Sequence, residues 1–156
     1  MMWQMSTAIL LSGITFVWAG DLPDSTLTPG ACKSMDIHTL CTTKWGKDAR
    51  HVTAAMKAKV FQEYGLTDNS DTSDCEPDKH GRHHEVDHLC SRELGGEDVV
   101  ENLWPQCYSG KWNAVMKDRL ENRLHKEVCA GEITLPEAQR AITSDWIKAY
   151  KERWPQ

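Results

Sequence analysis

Between Glu85 and Gln106 the chain reads EVDHLCSRELGGEDVVENLWPQ, and its chemistry-bearing residues are concentrated there. A carboxylate stands beside an imidazole in Asp87-His88, Gly95-Gly96 follows, and an amide sits at Asn102 in a short apolar stretch. A carboxylate supplies the oxygen ligands that hard divalent cations prefer. A neutral imidazole titrates near working pH and can take a proton from water. An Asn side-chain oxygen can accept from the imidazole Nδ1–H, which would leave Nε2 to face the water. Together these groups suit metal-assisted hydrolysis, most naturally of a phosphodiester.

The Asp-His pair, the glycine pair and the NLWPQ that begins at Asn102 resemble the HNH endonucleases, in particular a small bacterial and phage subgroup. The resemblance extends from Thr28-Pro-Gly through Tyr64-Gly65 to the C-terminal DWIKAYKERW. It implies a ββα-metal core of two short strands and a helix, over about residues 85–130. It also implies roles: His88 as general base, Asn102 as the residue that orients it, and Asp87 as a metal ligand. Asn113, in KWNAVMKD, is the nearest match to the third position of the family pattern. His125 lies about 18 Å further along a helix, so the two cannot share one ion. An Asp and Asn oxygen set suits Mg²⁺, with Mn²⁺ as an alternative, better than zinc. Glu85, two residues before Asp87 on the same side of a strand, is a supporting position. His84, Lys117 and His125 are further supporting or substrate-contacting positions, each with a plainer reading as a loop, surface or helix-face residue.

The elements that must hold these groups are legible at low resolution. Glu85–Cys90 reads as one strand and Asn102–Trp104 as a second, stopped by Pro105. Trp112, Val115, Met116, Leu120, Leu124 and Val128 trace one helix face, closed by Gly131. Thr134-Leu-Pro-Glu137 reads as a capping box for a last helix with Ala138, Ile142, Trp146 and Tyr150 inward. Asp48–Tyr64 carries apolar residues at helical spacing, with Gly65 as a stop. Residues 66–84 form a long polar loop, and 20–47 an extended N-terminal segment rich in turn residues. The expected fold is α+β and helix-rich, with 48–156 as one domain and helices flanking the ββα core.

Residues 1–19 read as a signal peptide, with an apolar run from Ser6 to Trp18 and Val17-Trp18-Ala19 at the cleavage site. That run is shorter than the ~20 residues that span a bilayer, so no stable membrane association is expected once the leader is removed. All six cysteines follow it, which suggests a disulfide-stabilised periplasmic or secreted protein. Cys32–Cys41 and Cys107–Cys129 are the near-neighbour pairings, and the absence of CxxC spacing disfavours a zinc ribbon.

The formal charge of −5 opposes simple affinity for nucleic acid. From Tyr108 onward, however, nine Lys and Arg stand against seven Asp and Glu. The expected function is a metal-dependent endonuclease of low sequence specificity acting on DNA, with RNA open. The alternative is a non-enzymatic secreted module that binds a metal or a partner on the same scaffold. An immunity-type protein partner stays open.

Overall fold

The computed structural model describes residues 20–155. The expected leader lies outside them. Among the described residues no helix is long and apolar enough to cross a membrane. The fold is mixed α+β, and the described residues contain four α-helices, a two-stranded antiparallel sheet and three disulfides.

β1 (His84–His88) pairs with β2 (Leu103–Cys107), in a register that sets Asp87 opposite Trp104 and His88 opposite Leu103. β2 therefore runs through Pro105 rather than stopping at it. A two-stranded sheet has only edges, and an edge tolerates a residue that lacks an N–H. Such a sheet is marginal alone. Here α2 (Ala54–Glu63) packs Val60 and Phe61 against a cluster holding Val86, Leu89, Leu103 and Trp104. α2 begins later than the periodicity suggests, because Thr53 caps it by accepting from the Met56 N–H.

α3 (Ala114–Cys129) follows β2, so the chain order strand, strand, helix is present. Leu120, Leu124 and Val128 form its apolar stripe against α4 (Leu135–Arg153). Val115, expected inward, is exposed. Two charged residues on the inner side of α3 serve other ends: Lys117 turns toward β1, and Glu127 accepts from Arg153 of α4 and Arg123 of its own helix. α4 opens with the expected Thr134–Glu137 capping box and buries Ala138, Ile142, Trp146 and Tyr150. It breaks at Asp145 (φ −164°, ψ 91°), whose carboxylate caps the second half by accepting from the Lys148 N–H.

The N-terminal segment is not wholly extended. It contains α1 (Ile37–Thr42), capped by Asp36. Ahead of α1 it lies against the sheet, where the buried Thr28 donates to the Leu103 carbonyl (2.9 Å) and the Gly30 N–H donates to the Glu101 carbonyl (3.0 Å). The disulfides are Cys32–Cys90, Cys41–Cys129 and Cys75–Cys107. Neither near-neighbour pairing forms, because each bridge ties a loop or an N-terminal segment to the end of a distant regular element.

Candidate active site

The segment between β1 and β2 sets the site. After His88 the backbone turns through a single helical turn, Arg92–Leu94, closed by Gly95 at φ +84°. Gly96 follows, its Cα pressed against the Cys90 carbonyl: a Cβ there would lie 1.8 Å from that oxygen. The Gly95-Gly96 pair is thus required by a left-handed turn at one position and close main-chain approach at the next.

Asn102 closes this turn, but not as the sequence suggests. Its Oδ1 accepts from the N–H groups of Cys90 (2.8 Å) and Ala31 (3.1 Å), and its Nδ2 donates to the carbonyls of Cys90 and Glu97 (3.0 Å each). Its backbone carbonyl accepts from the Leu89 N–H. The fully buried amide pins the chain just past His88 and does not touch the imidazole.

The imidazole is held instead by Asp98, a residue the sequence reading missed. His88 Nε2 lies 2.7 Å from Asp98 Oδ1. Asp98 is fixed in turn by the His51 N–H (2.6 Å) and by Arg92 Nε at 3.6 Å. A carboxylate on Nε2 selects the tautomer that carries its proton there, so Nδ1 keeps the lone pair. This inverts the nitrogens from the sequence expectation. Burial lowers the His88 pKa from 6.5, outweighing the Asp87 and Asp98 carboxylates that raise it. At neutral pH the ring is therefore a neutral base.

His88 opens onto a cleft of about 390 Å³, whose lining includes Glu85, Asp87, Glu93, Asp118 and Glu121. Behind the lining residues Asp87 and Glu121 lies Lys117, fully buried. Its ammonium donates to Asp87 Oδ2 (2.7 Å), to the His88 carbonyl (2.5 Å) and to Glu121. Burial alone would lower the Lys117 pKa, yet Asp87 and Glu121 together raise it, so the ammonium stays charged. Arg50 and Arg92 also line the cleft, so with Lys117 three cations stand against five acids. Burial and the Asp87 charge push Glu85 up to about 7. Burial, with Asp87 adding to it, pushes Glu121 up to about 8 despite the adjacent ammonium. Burial also raises Glu93. Apart from the His88 imidazole the donors are oxygens, beside an excess of negative charge that protons partly neutralise. Carboxylate oxygens are ligands of the kind a hard divalent cation takes, but among the described residues no three groups of this cleft bring ligand atoms within 4.8 Å of one another.

Of the other expected positions, Glu85 lines the cleft and Asn113, His84 and His125 do not. Asn113 caps α3: its Oδ1 accepts from the Met116 N–H (3.1 Å), its Nδ2 donates to the Gly110 carbonyl, and it does not line the cleft. Lys117, expected as a supporting or substrate-contacting residue or a plain surface cation, has no solvent exposure and donates to Asp87. Glu85 accepts from the Tyr108 hydroxyl at the rim. His84 is buried, with Nε2 2.9 Å from Asp74 and its ring edge-on to Phe61. His125 donates to the Leu40 carbonyl beside the Cys41–Cys129 bridge. The i,i+4 spacing of Lys117 and Glu121 was visible in the sequence, whereas nothing local marks Asp98.

Two groups elsewhere do bring three potential ligand atoms within 4.8 Å: Cys41, His125 and Cys129, and Cys75, His84 and Cys107. Either can in principle hold a metal ion, but thiolate is the ligand form of cysteine and both pairs are oxidised. With the geometry in view, comparison with known proteins finds no matching family model, no matching curated protein and no matching solved structure.

Proposed function

We propose that the protein is a divalent-metal-dependent endonuclease of the HNH type, hydrolysing phosphodiester bonds of DNA, and open to RNA, with little sequence preference. The observation that carries this reading is the His88–Asp98 pair at the end of β1, facing a cleft lined by carboxylates. In this reading Asp87, Glu121 and Asp118 hold Mg²⁺ or Mn²⁺. When bound, the ion offsets charge on the scissile phosphate and on the leaving oxygen.

The chain's own groups do the rest. His88, kept neutral by burial, accepts the proton of the attacking water at Nδ1. Asp98 holds the ring and stabilises the imidazolium as it forms, because Nε2–H already donates to it. Lys117 positions Asp87 and the His88 carbonyl, which fixes the end of β1 against α3. Arg50 lines the cleft and donates to the Val86 carbonyl (2.8 Å), which places a guanidinium near an incoming phosphate.

The Lys117 ammonium also favours a second reading. The carboxylates already share an internal cation, as a non-catalytic metal- or partner-binding module would have if it kept the scaffold and lost the chemistry. Supercoiled plasmid separates the two. The nuclease nicks it with Mg²⁺ or Mn²⁺, stops in EDTA, and loses activity in a folded His88→Ala variant. No nicking by folded, oxidised wild-type protein with either metal leaves the binding module.

A further inference from the structure

The cleft at His88 is the middle of three adjoining hollows. On one side Arg50 and Glu85 form a shared rim with a larger hollow of about 700 Å³ between α2 and β1, to which Lys57 and Arg82 contribute. On the other side Asn122 forms a shared rim with a hollow of about 420 Å³ along α3. That third hollow is lined by Arg119, Asn122, Arg123, Lys126 and Trp154, with three cations and no carboxylate.

Arg119, Arg123 and Lys126 fall at i, i+4 and i+7, one above another on a single helix face. They span about 10 Å of helix axis, roughly three phosphates of a duplex strand at ~3.4 Å each. Arg119 is steadied from behind, its guanidinium 5.4 Å from the Trp154 ring, which stacks on Tyr150. Arg50, Lys57, Arg119 and Lys126 make no ion pair among the described residues. Arg82 and Arg123 pair with Asp78 and Glu127, but both arginine side chains stay about half exposed, and such pairs yield readily to a competing anion. In the α2 hollow, Asp68 is turned onto the N–H and hydroxyl of Ser70, and Glu85 onto Tyr108.

We propose that the two flanking hollows are the arms of a polynucleotide track. Backbone phosphates seat on Arg50, Lys57 and Arg82 on one side and on Arg119, Arg123 and Lys126 on the other. One phosphodiester is thereby carried over the His88 cleft between them. This rests on the nuclease reading and names how its substrate lies. It also gives a chain of net charge −5 a local path for a polyanion, because six cations line the two arms and the hollow along α3 has no carboxylate in its lining.

The test is fluorescence anisotropy of a labelled mixed-sequence DNA duplex with the disulfide-bonded full chain carrying His88→Ala in Mg²⁺, repeated with wild type in EDTA. Kd is read as a function of salt. Lys57→Ser and Lys126→Ser, from opposite arms, are each expected to weaken binding and to reduce the slope of log K against log salt by about 0.9. The double variant should lose about twice that. Lys148→Ser, on α4 away from the track, should leave the slope unchanged. Unchanged slopes for Lys57→Ser and Lys126→Ser overturn the track, as does an equal loss for Lys148→Ser. Tight binding with these slopes but no plasmid nicking by wild type sinks the nuclease reading and keeps the track. Nicking with flat slopes does the reverse.

Discussion

Replacing Lys117 with Met removes a buried ammonium while keeping much of its volume. Asp87, about one-eighth exposed, then loses its only ion-pair partner among the described residues, and the His88 carbonyl loses a donor. Breaking a buried pair from one side costs about 3–5 kcal/mol. A ceiling exists, because Asp87 can escape by taking a proton. From an ordinary unfolded aspartate near 3.9, that escape costs about 4 kcal/mol at about pH 7 and about 1.5 kcal/mol at about pH 5. In the variant nothing offsets the buried negative charge, and a proton taken up by the folded state removes that cost. Stability of the variant should therefore rise as pH falls, and its deficit against wild type should shrink. Urea unfolding of the disulfide-intact variant at both pH values measures this directly. A second arm adds Mg²⁺, which should recover part of the deficit by binding where the ammonium was. An equal midpoint for variant and wild type at neutral pH would refute the argument, and so would a deficit that does not change with pH.

Asp98→Asn should keep the fold and lower nicking activity about 10- to 100-fold, because the imidazole loses the group that fixes its tautomer; undiminished kcat would remove Asp98 from the site. The acid limb of the wild-type pH–rate profile should lie below 6.5, since burial lowers the His88 pKa. Gly96→Ala forces a methyl group onto the Cys90 carbonyl, and overpacking against main chain should cost about 3 kcal/mol or more in a thermal melt. Glu127→Gln should cost about 1–3 kcal/mol at neutral pH, where the carboxylate accepts from Arg153 and Arg123. Burial raises the Glu127 pKa, but the two arginines outweigh it, so the folded value lies below the ordinary 4.5. The contribution is therefore full above that value and is lost as pH falls through the folded pKa, closing the gap between Gln variant and wild type in acid.

The sequence was most legible where one local rule dictates one outcome. The Thr134–Glu137 box, the Leu120–Leu124–Val128 stripe and the glycine pair needed no tertiary information, and each is present. Site residues were legible by type and not by partner. Asp87 and His88 announce themselves, but the partner of His88 is chosen by a turn that brings Asp98 back from ten residues on. Asn102 carries an amide that fits either an imidazole or a backbone turn, and the close pass of Gly96 beneath Cys90 decides for the turn. Lys117 looked like a solvated helix cation, and only the docking of α3 on the end of β1 shows that it is buried. The disulfides were illegible for the same reason, since their separations of 32, 58 and 88 residues reflect the fold and nothing nearby in the chain.

The contact of Gly96 with the Cys90 carbonyl also bears on how this chain can evolve. The positions of His88 and Asp98 depend on main chain packed against main chain, and no side-chain substitution adjusts that by small steps. The six cations along the flanking hollows are largely surface side chains, and changes there carry little stability cost. Descendants of this sequence are therefore free to vary those surface charges, while the spacing of His88 and Asp98 stays frozen. Diversification would be read in the residues of α2 and the outer face of α3, and scarcely at all between Asp87 and Asn102.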